Sequence, residues 1–168
     1  PAIVLACSTP SNCFEWAYKA AKMTLEYNTP VILLSDGYLG NGAEPWKIKS
    51  TEKMPEIKPN IAIEGEEYQP YLRDENTLIR KLAIPGTKGL EHTLGGLEKE
   101  DITGHVSYDP ENHEKMCEIR AEKINKISNN INDQNIFGKA QGKLLVIGWG
   151  GTYGSLYSAV NYLLKEDN

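Results

Sequence analysis

The residues of this chain best placed for chemistry follow an apolar run. Val31-Ile32-Leu33-Leu34 leads through Ser35 into Asp36-Gly37-Tyr38-Leu39-Gly40-Asn41-Gly42. In open parallel sheets, ligands bind outside the carboxyl ends of the strands. Asp36, Tyr38 and Asn41 would stand at such an end, offering a carboxylate, a phenol and an amide. Glycines 37, 40 and 42 would let a ligand or a partner chain approach the backbone closely. The same glycines would also serve a plain exit loop, and the residues alone leave both readings open.

The second candidate is Gly148-Trp-Gly-Gly-Thr-Tyr-Gly154. A dinucleotide fingerprint needs G-x-G-x-x-G between strand and helix, with an acid about 20 residues on. Gly148 and Gly150 fit. Tyr153 takes the third glycine's place, and Gly154 falls one residue late. A tight turn is the stronger reading, and a nucleotide-binding oxidoreductase domain the alternative. His92, His105 and His113 are spaced by 13 and 8 residues, which puts no two ligands on one helical turn. No G-x-S-x-G nucleophile elbow occurs. Glu15 and Glu26 fall on the solvent face of a helix. Cys13 lies near a helix start, where thiols ionise more easily, but a packing role fits it better.

The elements that must position these groups follow from periodicity. Residues 2–7 read as a strand covered on both faces. Apolar residues at Phe14, Ala17, Tyr18, Ala21 and Leu25 give an amphipathic helix over Asn12–Tyr27, with Ser11 as its N-cap. Val31–Leu34 reads as a second buried strand, completing a β–α–β unit with parallel strands. Five of the nine prolines fall between Pro45 and Pro85, a density few helices survive. Residues 45–108 therefore read as an extended connector with a few short strands and a helical turn at Asn76–Leu82. Asp109-Pro110 opens a helix of about five turns, with Met116, Ile119, Lys123, Ile124, Ile127 and Ile131 along one stripe. Asp133–Gln141 reads as polar and exposed. Lys143–Ile147 reads as a third buried strand, and Ser155–Lys165 as a helix. The fold class is α/β, made of parallel-sheet βαβ pieces of two domains joined by a long irregular connector.

The composition narrows the function. Apolar residues make up 40% and charged residues 24% of the 168, and the net charge is −5. No basic stripe marks a nucleic-acid surface. No apolar run approaches the roughly 20 residues of a membrane helix. Three cysteines (Cys7, Cys13, Cys117) form no C-x-x-C pair. That suggests a reducing, cytoplasmic setting and argues against cluster or zinc ligation by this chain alone. Pro1 leads directly into a strand, and the sequence stops soon after a helix, so an internal piece of a longer chain is expected.

Four ordered blocks carry a resemblance. They are Thr29–Lys47, Ile84-Pro-Gly-Thr-Lys-Gly-Leu-Glu-His-Thr-Leu-Gly-Gly-Leu-Glu-Lys99, Asp109-Pro-Glu-Asn-His-Glu114 and Leu145-Val-Ile-Gly-Trp-Gly-Gly-Thr-Tyr-Gly154. Together they resemble the α subunits of the 2-oxoacid:ferredoxin (acceptor) oxidoreductases, most like the 2-oxoglutarate enzymes. The resemblance implies that residues 1–44 are the end of a pyrimidine-binding domain for thiamine diphosphate. It makes 45–142 the connector and 143–168 the start of a transketolase C-terminal-like domain. It implies oxidative decarboxylation of a 2-oxoacid to acyl-coenzyme A, with electrons passed to ferredoxin. A partner β subunit would hold the diphosphate–Mg²⁺ end of the cofactor and a [4Fe–4S] cluster. The family's activating glutamate lies upstream of Pro1, so no catalytic residue transfers, and Glu15, Glu26 and Glu44 are not promoted to that role. Asp36, Tyr38 and Asn41 are candidates for lining the intersubunit cofactor cleft. This piece alone is expected to be inactive. A non-catalytic scaffold or docking role stays open beside the enzymatic one.

Overall fold

The computed structural model describes residues 1–131 and 135–166. It contains strand β1 (Ile3–Ala6), helix α1 (Cys13–Tyr27), strand β2 (Val31–Leu34), short helix α2 (Gly37–Asn41), helix α3 (Pro110–Ser128) and helix α4 (Tyr153–Glu166). β1 and β2 form a parallel two-stranded sheet. The α/β class and the β–α–β unit expected from the sequence are present. The described residues divide into two compact units. Unit 1 comprises Pro1–Ile3, Lys22–Pro30 and Glu56–Ile131; unit 2 comprises Val4–Ala21, Val31–Pro55 and 135–166.

In unit 2, α1 starts at Cys13, one residue later than expected, and the cap ahead of it is Thr9 rather than Ser11. Pro10 suits a first helical position because its φ is already fixed. A single 3-10 turn over Pro10–Asn12 therefore precedes α1. Thr9 Oγ1 accepts from the Asn12 amide at 3.3 Å, and Asn12 Oδ1 accepts from the Thr9 amide at 3.3 Å. This reciprocal box satisfies donors that a helix start leaves orphaned.

The strands are less covered than their composition suggests. Only alternate residues of β1 are buried, with Val4 55% exposed, and Ile32 and Leu34 of β2 face solvent. A two-stranded sheet has two edges and cannot cover both its faces. Lys143–Ile147 is not a strand here, and Leu144 to Ile147 are exposed. No neighbouring strand among the described residues offers it a hydrogen-bonding ladder, so extension brings its backbone no partners. Residues 135–141 are exposed; the first part of the stretch read as polar, 133–134, lies outside the described residues. α4 begins two residues before the expected Ser155, after a 3-10 turn over Gly150–Thr152.

Unit 1 is built on α3, capped as expected: Asp109 Oδ1 accepts from the Glu111 amide at 3.1 Å. Its stripe buries Met116, Lys123 and Ile127. The proline-rich connector forms isolated bridges rather than strands: Ile61 with Leu82, Tyr71 with Ile102, Arg73 with Arg80 and Lys99 with Val106. Residues 76–82 are not a helical turn. Asp74 Oδ1 accepts from the Asn76 and Thr77 amides at 3.2 and 2.8 Å, closing a side-chain turn that reverses the chain. Arg73 is largely buried and bonds Asp101 at 2.5 Å, and Lys115 reaches the same carboxylate at 2.8 Å.

Lys123 is a buried ammonium with a backbone partner, the Asn28 carbonyl at 3.0 Å. Burial first, then the neighbouring Arg80 and Arg73 charges, push its pKa from 10.5 down to about 8. The folded state therefore binds this proton more weakly than the unfolded chain does. Stability should rise as pH climbs from about 8 toward 10.5 and fall as pH drops through 8. Urea midpoints across that range should show the rise, and Lys123→Met should remove it. An unchanged slope in the variant would contradict this assignment.

Candidate functional site

The groups singled out around β2 meet in unit 2, at the carboxyl ends of both strands. Asp36 caps α2: its Oδ1 accepts from the Leu39 amide at 2.9 Å. That cap turns the expected glycine-rich loop into a short helix and buries Leu39. The other oxygen, Oδ2, accepts from the Gly151 amide at 2.6 Å. One carboxylate thus joins the end of β2 to the turn that starts α4. The Leu39 and Gly151 amides hold the Asp36 carboxyl below its ordinary value, because both hydrogen bonds favour the ionised form.

Glycine is required where that turn meets Asp36. Gly150 sits at φ +65°, a left-handed conformation that side chains disfavour. A Cβ on Gly151 would lie 2.7 Å from Asp36 Oδ2 and 3.0 Å from Oδ1. The glycines that resembled a nucleotide fingerprint therefore let the turn close onto a carboxylate of its own chain.

Beside this clamp lies an open groove of about 810 Å³. Tyr38 and Asn41 line one side, from α2. Ser8 and Thr9 approach from the end of β1, and Ser155 and Ser158 from the first turns of α4. Asn41 Nδ2 donates to the Gly37 carbonyl at 2.7 Å, which fixes the amide plane and leaves its oxygen available. Tyr38 is 75% exposed. Of the three residues selected from the sequence, Tyr38 and Asn41 line the groove. Asp36 stands behind it, its oxygens engaged by the backbone.

Glu44 also borders the groove. It accepts from the Ser11 amide at 2.8 Å, and its hydrogen bonds to Ser11 hold its carboxyl below the ordinary value. Glu15 pairs with Lys49 at 2.5 Å. Glu26, in unit 1, is paired with Lys22 and accepts from the Lys58 amide at 2.9 Å. Each of the three glutamates has a partner within this chain.

The sequence reading missed the four hydroxyl residues of the groove. The Ser8–Thr9 pair had a signal, since it also follows the carboxyl end of a strand. Ser155 and Ser158 had none, because their position depends on a bond between residues 36 and 151.

The donor set indicates what the groove could hold. Its lining offers hydroxyls, an amide, a phenol, the Glu44 carboxylate and backbone, with no lysine or arginine. Among the described residues, no group of three or more His, Cys, Asp or Glu could hold a metal ion. A neutral heteroaromatic ring with hydrogen-bonding edges suits such a lining. A diphosphate–Mg²⁺ group, which needs cations and carboxylate ligands, would find no cation and a single carboxylate, Glu44, in this lining.

Fold and site together define the class: an α/β protein whose parallel strands open onto a ligand-sized cleft. Residues 1–108 match the family described as pyruvate flavodoxin/ferredoxin oxidoreductase, thiamine diphosphate-binding, and the chain belongs to that family. It is 46% identical over 160 residues to the 2-oxoglutarate oxidoreductase subunit KorA of Mycobacterium tuberculosis, covering 95% of this chain and 24% of that protein. It is 28% identical to the 2-oxoacid:ferredoxin oxidoreductase subunit alpha of Saccharolobus solfataricus, over 99% of this chain and 27% of that one. Among solved structures it resembles the 2-oxoglutarate:ferredoxin oxidoreductase from Magnetococcus marinus, determined with 2-oxoglutarate, coenzyme A and succinyl-CoA bound. There the TM-score is 0.78 at 28% identity, over 99% of this chain and 29% of that chain. The chain spans about a quarter of the length of these relatives. The recognition drawn from the four sequence blocks is borne out.

Proposed function

We propose that this chain is part of the α subunit of a thiamine-diphosphate-dependent 2-oxoacid:ferredoxin oxidoreductase acting on 2-oxoglutarate. The observation that carries the reading is the match along nearly the whole chain to a 2-oxoglutarate oxidoreductase subunit and to a 2-oxoacid:ferredoxin oxidoreductase subunit alpha. Bound thiamine diphosphate would supply the means to decarboxylate a 2-oxoacid and release its electrons. This chain's own residues would bind and orient. Tyr38 and Asn41 would line the pyrimidine end of the cofactor cleft. Asp36 would hold the Gly150–Gly151 turn against the end of β2 so that the groove keeps its shape. Residues 1–44 would belong to the pyrimidine-binding domain, 45–142 to a connector, and 143–168 to the opening of a transketolase C-terminal-like domain.

The cation-free lining supports a division of labour. A partner β subunit would hold the diphosphate, Mg²⁺ and a [4Fe–4S] cluster, and coenzyme A and ferredoxin would be used by the complex. The exposed apolar run Leu144–Ile147 fits a surface that other parts of such an assembly cover. No helix among the described residues is long and apolar enough to cross a membrane. The three free cysteines favour the cytoplasm.

The full-length protein co-expressed with its partner subunit should reduce ferredoxin when given 2-oxoglutarate and coenzyme A. Omitting thiamine diphosphate should abolish the reaction. A complex that prefers pyruvate or a branched-chain 2-oxoacid would overturn the substrate, and one inactive on every 2-oxoacid would overturn the function.

A further inference from the structure

Unit 1 carries a second cluster with chemistry, far along the sequence from the groove residues of α2. Cys117 is exposed on α3. Its Sγ lies 3.7 Å from His113 Nε2 and 3.1 Å from Arg120 Nη2. His113 precedes it by four residues and Arg120 follows by three, so helix geometry places all three on one face. Glu98, from the segment before α3, ties the face together. Its Oε2 lies 2.6 Å from His113 Nδ1, and its two oxygens accept from Arg120 at 3.2 Å each.

These bonds assign the protons. The Arg120 hydrogen bond, foremost, and then His113 bring the Glu98 carboxyl down to about 2, against the opposing effect of burial. An ionised carboxylate can only accept. His113 Nδ1 therefore donates to Glu98, and in the neutral ring Nε2 faces the sulfur as an acceptor. A nucleophile, a base and a carboxylate that orients the base stand in sequence. Arg120 adds a fixed positive charge 3.1 Å from the sulfur.

Cys7 is an internal contrast. It is 1% exposed, and burial first, then Cys13, pushes its thiol up to about 11. Cys13 Sγ donates to the Thr9 carbonyl at 3.4 Å. Neither has a base or a cation arranged on it as Cys117 does.

We propose that Cys117 is a site of reversible thiol–disulfide exchange with low-molecular-weight disulfides, with His113 as proton acceptor and Arg120 as the cation beside the sulfur. His113 Nε2 takes the thiol proton, and the sulfur attacks one sulfur of the incoming disulfide. A new S–S bond forms to Cys117 while the original S–S bond breaks. The departing half leaves with the electron pair and takes the proton back from His113. Cys117 is oxidised to a mixed disulfide, and one half of the reagent is reduced to a thiol. The incoming disulfide is the oxidant.

The test is incubation of the full-length protein, with its partner subunit, in oxidised glutathione. Mixed disulfides at each cysteine are then quantified by peptide mass spectrometry over time. Cys117 should react about tenfold faster than Cys13, and about tenfold faster than the same cysteine in the urea-unfolded chain, with Cys7 unmodified while the fold persists. His113→Gln and Arg120→Gln should each slow the Cys117 rate several-fold. The comparison with the unfolded chain needs no variant, so a misfolded substitution cannot obscure the answer. A folded-state rate at Cys117 no greater than in urea would overturn the proposal. So would a His113→Gln protein of unchanged helicity that reacts as fast as the wild type.

Discussion

Replacing Asp36 with alanine should raise the thiamine diphosphate concentration needed for half-maximal activity of the full-length assembly on the order of 100-fold. Small displacements of a positioning element can cost that much without touching the reacting atoms. Two hydrogen bonds disappear together. The Leu39 amide loses the cap that starts α2, and the Gly151 amide loses the acceptor that fixes the turn before α4. Tyr38 and Asn41 ride on the first of these elements, Ser155 and Ser158 on the second. Asp36→Asn retains one acceptor oxygen and can keep only one of the two bonds, so its defect should be smaller. Gly151→Ala should reproduce the Asp36→Ala defect from the other side, since its Cβ would fall 2.7 Å from Oδ2. The check is the apparent KM for thiamine diphosphate beside kcat at saturating cofactor. Affinity should fall more than turnover. Unchanged affinity in both Asp36→Ala and Gly151→Ala would show that the clamp does not shape the cofactor cleft.

The largest effect on stability should come from Met116. It is 1% exposed and among the largest fully buried side chains of the described residues. It sits in the middle of the α3 stripe, and Arg73 Nη2 lies 3.7 Å from its sulfur. Met116→Ala removes three heavy atoms and leaves a cavity beside the Arg73 guanidinium, which is held in place by its ion pair with Asp101. A loss of about 2–5 kcal/mol is expected for such a change, a large share of a typical domain's stability. Met116→Leu conserves volume and should cost less than about 1.5 kcal/mol. Urea denaturation followed on α3 would measure both, through a lower midpoint at unchanged slope. Near-equal midpoints for Met116→Ala and wild type would mean that α3 is not what holds unit 1 together.

What the sequence disclosed and withheld follows from the range of the interactions involved. α3 was legible because its cap, its proline and its apolar stripe all act within a few residues of one another. The β–α–β unit was legible for the same reason. Burial of β2 and of Lys143–Ile147 was not, since an apolar run signals only that a strand would be covered where neighbours exist. The side-chain turn at Asp74 competed with a helical turn, and Asp74's two hydrogen bonds to the following amides decided it. At the site, Tyr38 and Asn41 were placed from their position after a strand. The actual role of Asp36 depended on Gly151, 115 residues away, which no local pattern encodes. The cluster around Cys117 was half visible: His113 and Cys117 share a helix face by spacing alone, but Glu98 had to come from another segment.

The most direct test of the central claim is a structure of the assembled full-length protein with thiamine diphosphate bound. The aminopyrimidine end of the cofactor should lie in the groove beside Tyr38 and Asn41, with the diphosphate and its metal ion held by residues outside this chain. Cofactor density away from that groove, or a diphosphate seated on this chain's own residues, would contradict it.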